Sequence, residues 1–378
     1  MHFRSVLLLL SSLLLAPTHA QSQSSWPGWG GISNIFAFGD SYTTTRFQIN
    51  GTQPNIDNPL GNPAFPGQTF SNGRNWIDFL TYSYNDSLIF SYNFAMGGAS
   101  VDSFGVPNPF RPMDQQVRQF FLPNYAPNAT DAKAKWASDN TLFTSFFGIN
   151  DINTSFRTGR ANMTALHTQI FATYAQLIDE LYQAGARNFL FMNVPAVHRS
   201  PLLMGQGNAT VESSKAAIAD FNARISNMAQ SFTQRRTDAT VFMLDTFSLY
   251  DAVLDDPKSR SETEVYTNTT GFCFAYSART FDEESFNSSC GIPQKQFLWL
   301  DVLHPTPPIH EAMAADIASL LRNNEFIGSS NTSNTTRPNV ASPPEPTASS
   351  NLESSNSHRV VSSTTFVLVL AVIVALAF

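Results

Sequence analysis

The sequence predicts an α/β domain built on a parallel β-sheet with helices on both faces. Two observations carry the prediction. Apolar, aromatic runs of strand length alternate with longer stretches of helical period, and that alternation over a whole domain means parallel pairing through helical crossovers. The strand-like runs also break close to Gly, Pro or Asp, where a buried strand turns out to solvent. In an open sheet of this kind ligands bind beyond the carboxyl ends of the strands. The breaks are therefore where chemistry is sought.

Ile35–Phe38 is the first strand, and it opens into Gly39–Asp40–Ser41–Tyr42. Thr43–Ser71, rich in Pro, Gly and Asn, reads as loop and as one wall of a cleft. Asn75–Thr81, with Trp76, Ile77, Phe79 and Leu80, reads as a short helix. Leu88–Phe94 is the second strand and ends in Ala95–Met96–Gly97–Gly98–Ala99–Ser100. Glycines there let backbone approach a ligand and expose an N–H, although an ordinary tight turn fits the same residues. Thr141–Phe147 is the third strand, ending in Gly148–Ile149–Asn150–Asp151. In Asn162–Gln183 the residues Leu166, Ile170, Tyr174, Leu177 and Leu181 share one helical face, and Gly185 stops the helix. Asn188–Val194 is a fourth strand closed by Pro195, Val211–Arg235 a second long helix, and Ala239–Leu244 a fifth strand followed by Asp245. Gly271–Gly291 is an insertion. Leu298–Trp299–Leu300 then leads into Asp301–Val302–Leu303–His304–Pro305–Thr306, and Ile309–Arg322 is a closing helix.

The two ends of the 378-residue chain read differently from its middle. Residues 1–20 carry Arg4, the apolar run Val6–Leu15 and the small-residue exit Thr18–His19–Ala20, the pattern of a secretory signal peptide. Residues 328–357, rich in Ser, Thr, Asn and Pro, form a disordered linker by composition. In residues 358–378 the apolar run Phe366–Phe378 follows the polar spacer Ser357–Thr365 and the small residues Ser354–Ser355–Asn356. That is the layout of a glycosylphosphatidylinositol attachment signal, with a transmembrane helix starting near Val360 as the alternative. Residues 21–327 remain as one large domain. The expected setting is outside the cell, secreted and tethered to its surface.

Composition narrows the partners. The formal charge of −7 and pI near 5.5 argue against nucleic acid. Charged residues make up only 13%, so neutral groups and glycans must supply much of the surface polarity. N-glycosylation acceptors stand at Asn50, Asn85, Asn128, Asn153, Asn162, Asn208, Asn268, Asn287, Asn331 and Asn334. Cys273 and Cys290 are expected to pair in an oxidising compartment, closing a loop worth about 3 kcal/mol. A catalytic cysteine would need a positioned histidine, and the insertion holds none. The histidines lack metal-ligand spacing, and no phosphate loop or dinucleotide fingerprint occurs, so neither metal nor cofactor is expected. A monomer is expected.

Four short blocks stand at the ends of successive elements: Gly39–Asp40–Ser41, Gly97–Gly98, Gly148–Ile149–Asn150–Asp151 and Asp301–Val302–Leu303–His304. In these the sequence resembles the GDSL, or SGNH, hydrolases, whose blocks supply a catalytic Ser, an oxyanion Gly and Asn, and a catalytic His in this chain order. The resemblance runs from Ile35 to about Arg322 and implies a flavodoxin-like, three-layer α/β/α fold. The first block departs from the usual Gly-Asp-Ser-Leu in having Tyr42. With Thr43–Thr45, Asn75–Trp76, Asn193–Val194–Pro195 and His304–Pro305–Thr306, it is similar to fungal acetylesterases of carbohydrate esterase family 16. The absence of Gly-x-Ser-x-Gly around Ser41 argues against the α/β-hydrolase fold.

Position by position, the resemblance implies Ser41 as nucleophile, His304 as general base and acid, and Asp301 as the carboxylate orienting His304. The backbone N–H groups of Ser41 and Gly98 and the side chain of Asn150 form the implied oxyanion hole. A serine needs such partners, being a weak nucleophile alone. Each residue also has a plainer reading: Ser41 as a turn former, Asn150 as a cap near Thr154–Arg157, His304 as a loop histidine. His198 is a rival base without a nearby preceding carboxylate, His167 is expected in solvent on its helix, and Asp40 and Asp151 are expected to position loops. The implied activity is hydrolysis of short-chain acyl esters, acetyl first, of carbohydrate or similar alcohols. Its rivals are a lipase or phospholipase of the same fold, with Phe residues lining an acyl channel, and a non-catalytic glycan-binding wall protein.

Overall fold

A computed structural model of the chain describes residues 26–102, 111–278 and 282–329. The expected signal peptide, the linker from residue 330 onward, the anchor 358–378, and Asn331 and Asn334 lie outside the described residues. Five strands form one sheet: β1 Asn34–Gly39, β2 Phe90–Asn93, β3 Thr141–Phe146, β4 Asn188–Met192 and β5 Thr240–Leu244. Every pair is parallel, and the order is β2-β1-β3-β4-β5. This is the flavodoxin-like order, whose switch point lies between β1 and β3. All residues of β1, β3 and β4 are buried, as required of strands covered on both faces.

The longer helices are α1 Trp76–Tyr82, α2 Ile149–Ser155, α3 Arg160–Gln183, α4 Asn208–Arg235, α5 Thr246–Asp255 and α6 Pro307–Arg322. Helices α1 and α5 pack on α6, whereas α2 and α3 pack on α4. Right-handed crossovers running in opposite directions from β1 and β3 place these two groups on opposite faces. The result is the three-layer α/β/α architecture. No helix among the described residues is long and apolar enough to cross a membrane.

Most phenylalanines among the described residues are core. The ring of Phe36 lies 5.0 Å from those of Tyr92 and Phe121 and 5.2 Å from Phe143, with Trp136 edge-on at 5.6 Å. Burying rings of this size contributes most of what holds the β2 half of the sheet to its neighbours.

Several boundaries differ from the sequence reading. Asn75, read as helical, is the N-cap of α1: its side chain accepts from Ile77 N and Asp78 N, and Asp78 returns a bond to Asn75 N at 2.8 Å. The first turn of α6 begins at Pro307, where a missing N–H costs nothing. Two helices escaped the periodicity. Helix α2 is a two-turn element immediately after β3, and α5 is capped by Asp245, which accepts from Ser248 N at 3.1 Å. A helical run from Met113 to Tyr125, with a π-helical stretch at Gln116–Phe121, was also unread. Its signal is the four-residue spacing of Met113, Val117, Phe121 and Tyr125, all fully buried.

Cys273 and Cys290 are bonded, with Cα atoms 5.6 Å apart. They sit on a small satellite core of Tyr276, Phe297 and Leu300. Arg74 pairs with Glu283 at 2.9 Å, tying this insertion to the loop before α1.

Candidate active site

The carboxyl end of β1 delivers Ser41. Strand β1 ends at Gly39, where an added Cβ would lie 2.7 Å from Thr43 Oγ1 and 3.1 Å from Phe146 O. The turn that follows is held from several sides. Asp40 accepts from Tyr42 N at 2.9 Å. The Asn75 amide donates to Thr43 O and Thr44 O at 2.9 and 3.1 Å. Asn93 donates to Thr43 O at 2.7 Å, and Trp76 Nε1 to Thr43 Oγ1 at 3.1 Å. The cap that starts α1 thus also fixes the chain just past Ser41.

The loop before α6 delivers the other two groups. His304 Nε2 lies 2.9 Å from Ser41 Oγ, across 263 positions of sequence. Its Nδ1 lies 3.0 and 2.9 Å from the two oxygens of Asp301. Asp301 Oδ1 also accepts from Leu303 N and His304 N, both at 2.8 Å. The imidazole and these N–H groups outweigh the cost of burial and hold the Asp301 carboxyl down at about 2. At neutral pH it is an anion facing an imidazole, the arrangement that fixes one tautomer. His304 is fully buried under Phe70, whose ring centroid is 4.9 Å away.

Asn150 lies in the first turn of α2, not in a separate cap. Its Nδ2 donates to Ala99 O at 2.9 Å and lies 3.4 Å from Asp40 Oδ2. The structure therefore brings Asn150 to the Gly98–Ala99 turn and to the residue before Ser41. The two N–H groups of the amide are thus turned to Ala99 O and, over a longer bond, to Asp40 Oδ2. Gly98 has φ 79°, a left-handed conformation open to glycine. Gly148, at φ 126°, could not carry a side chain either, since its Cβ would lie 2.4 Å from Val194.

Two residues here were missed in the sequence. Tyr42 counted only as a departure from Leu, but its hydroxyl donates to Leu303 O at 2.7 Å and so links the Ser41 turn to the His304 loop. Gln116 is fully buried; its Nε2 donates to Gly39 O at 2.8 Å and its Oε1 accepts from Gly39 N at 3.1 Å. It acts as a strand partner at the point where β1 ends. A lone Gln gives no local signal of that role. His198 stacks flat on Phe247 at 5.7 Å and makes no hydrogen bond with Ser41. His167, expected in solvent, is fully buried between α3 and α4, with Ser155 Oγ at 2.8 Å and Asp220 Oδ2 at 2.7 Å. Among the described residues no group of His, Cys, Asp and Glu comes together to hold a metal ion.

Asp40 and Asp151 are buried acids beside this site. Burial first, then the charge of Asp151, pushes Asp40 up to about 8. Burial pushes Asp151 up to about 7, although it accepts from Val101 N at 3.1 Å. A folded state that keeps these protons, while the unfolded chain releases them near pH 4, binds the more protons between those limits. Stability then falls as pH rises from about 4 to 8. We expect chemical denaturation of the wild type to show that decline and Asp40→Asn to flatten it. A flat or rising wild-type profile between pH 5 and 8 would rule the protonated acids out.

Comparison with known proteins shows the family. Residues 35–317 match the family model described as GDSL-like lipase/acylhydrolase. An acetylesterase of Thermothelomyces thermophilus is 32% identical over 302 residues, covering 77% of this chain and 89% of that protein. A thermolabile hemolysin of Vibrio parahaemolyticus is 27% identical over 288 residues, covering 75% of this chain and 62% of that protein. Among solved structures, an acetylxylan esterase of Geobacillus stearothermophilus aligns with a TM-score of 0.41 at 12% identity, over 76% of this chain and 92% of that one. The chain belongs to the GDSL-like lipase/acylhydrolase family and is a carboxylic ester hydrolase.

Proposed function

We propose that the chain removes short acyl groups, acetyl first, from carbohydrate alcohols through an acyl-enzyme on Ser41. The observation that carries this is the hydrogen-bonded chain Ser41–His304–Asp301, at 2.9 Å on either side of the imidazole. His304 Nε2 accepts the Ser41 proton as Oγ attacks the ester carbonyl. The oxyanion of the tetrahedral intermediate takes hydrogen bonds from the Ser41 and Gly98 N–H groups and from Asn150 Nδ2. His304 then returns the proton to the leaving alcohol. Water, activated by the same imidazole, attacks the acyl-enzyme; the carboxylic acid leaves and Ser41 is restored. Asp301 stabilises the imidazolium that exists during both steps. Each oxyanion donor is worth about 3 kcal/mol of transition-state stabilisation.

A short acyl group is supported by the 32% identity to a protein named acetylesterase. It is also supported by the phenylalanines: among the described residues most pack into the core, and only Phe65, Phe274 and Phe286 are exposed. A purely glycan-binding protein would have no use for Asp301 bonded to His304. An extracellular, membrane-tethered setting is supported by the patterns in residues 1–20 and 358–378 and by the glycosylation acceptors. Those among the described residues, Asn50, Asn85, Asn128, Asn153, Asn162, Asn208, Asn268 and Asn287, are all partly or fully exposed.

The test is a series of nitrophenyl esters of increasing acyl length, read beside acetate release from acetylated xylan oligomers. We expect kcat/KM to peak at the acetyl ester. A peak at long chains would replace the reading with a lipase.

A further inference from the structure

Beside the triad lies a cavity of about 530 Å³ whose lining includes Arg46, Gln68, Thr69, Phe70, Asn72 and Asp282. We propose that it is the subsite for the alcohol half of the ester, and that Arg46 and Gln68 bind hydroxyl groups of a carbohydrate extending from the scissile bond. The inference rests on the esterase mechanism given above, which fixes the direction. The leaving oxygen must lie at His304 Nε2 to receive its proton, so the alcohol leaves on the imidazole side and the oxyanion on the Gly98–Asn150 side. The imidazole is covered by Phe70, and Phe70 is a wall of this cavity. An alcohol larger than a few atoms runs past Phe70 into it.

The lining decides the chemistry. Apart from Pro66 and the buried Phe70, its residues carry polar side chains or are glycine, so hydrogen-bonding groups for a hydroxyl-rich chain stand beside apolar surface on which a sugar ring can lie. Arg46 is the cation among the described residues of the lining. Its guanidinium stands 5.7 Å from the Phe70 ring and has no carboxylate partner among the described residues, unlike Arg74, Arg118, Arg187 and Arg199. Five N–H donors are thereby left facing the cleft or solvent. The Gln68 side chain is exposed and likewise has no hydrogen-bond partner among the described residues.

The wall carrying them is built, not loose. Arg46 holds left-handed backbone at φ 61°, which a residue of its kind adopts only when its surroundings enforce it, and Asn72, of a type that tolerates that conformation, holds it at 55°. Arg46 N donates to Thr44 Oγ1 at 3.1 Å, and Gln68 N to Thr45 O at 3.1 Å. Gly67 passes so close that a Cβ would lie 2.7 Å from Thr45 O. Asn72 Nδ2 donates to Tyr276 O and Gln294 Oε1 at 2.8 and 3.0 Å, anchoring the wall to the disulfide-bearing insertion. Two segments far apart in sequence thus fix a polar cleft against the ring that covers His304.

The experiment uses the purified full chain and compares kcat/KM for acetylated xylo-oligosaccharides with kcat/KM for nitrophenyl acetate, whose leaving group has no sugar hydroxyls. Arg46→Asn keeps a residue that tolerates left-handed backbone, and Gln68→Ala changes an exposed side chain. We expect the ratio of the two constants to fall about tenfold in Arg46→Asn, the equivalent of one charge-assisted hydrogen bond, and about threefold in Gln68→Ala, mainly through KM. Ratios at the wild-type value in both variants, with the wild type cleaving both substrates, would overturn the subsite and leave the carbohydrate reading standing. A wild type that cleaves nitrophenyl acetate but no acetylated oligosaccharide would overturn the subsite and that reading together.

Discussion

Ser41→Ala is expected to lower ester turnover by about a millionfold, with His304→Ala close behind and the double variant scarcely worse than either. The non-additivity is the informative part. Ser41 Oγ and His304 Nε2 share one hydrogen bond of 2.9 Å, so removing either end removes the same event, transfer of the nucleophile's proton as the carbonyl is attacked. Residual catalysis in these variants would come from the oxyanion donors and from substrate positioning. The fold should survive Ser41→Ala. Ser41 is 3% exposed, and the turn around it is held by Asn75, Asn93 and Asp40, none of which needs the hydroxyl. Turnover of nitrophenyl acetate and labelling by a fluorophosphonate, both read on protein with a native melting curve, check the prediction. Activity in purified Ser41→Ala within a hundredfold of wild type would remove the mechanism.

What could be read from the sequence was what is local. Gly39–Asp40–Ser41 and Asp301–Val302–Leu303–His304 carry their geometry within a few residues. A tight turn aims the serine, and a three-residue step lets one loop present both Asp301 and His304. The strands were legible because β1, β3 and β4 are buried on both faces and so read as continuous apolar runs. The unread parts depend on what the chain folds against. Gln116 looks like any polar helix residue until the fold sets it 77 positions back, against Gly39. Tyr42 reads as a substitution in a motif until its hydroxyl meets Leu303 O. His167 sits at a helix position expected to face water, and only the packing of α4 across α3 buries it against Asp220. The protonation of Asp40 follows from burial, which no spacing in the sequence encodes.

Asp301→Asn separates orientation from charge at this site, and we expect it to cost about ten thousandfold in turnover at neutral pH. Asparagine keeps the shape. Its Oδ1 can still accept from Leu303 N and His304 N, so the loop should hold. The second oxygen becomes an NH2 group, facing an imidazole nitrogen 2.9 Å away. A donor there turns His304 Nδ1 into the acceptor and moves the ring proton to Nε2, which then points a hydrogen at Ser41 Oγ and cannot receive one. The same variant reports on stability. In the wild type the Asp301 carboxyl is held at about 2, below its unfolded value of 3.8. The native state therefore binds fewer protons there between those limits. Asp301 contributes stability that is fully present above about pH 4 and lost as pH falls to about 2, on the order of 2 kcal/mol. Asp301→Asn should lack that acid-dependent component while melting normally in its pH profile above pH 5. Two measurements decide the matter: kcat/KM at pH 7, and imidazole nitrogen NMR showing the ring proton on Nε2. A variant that keeps turnover within tenfold of wild type would show that Asp301 only braces the loop, and that His304 selects its tautomer without it.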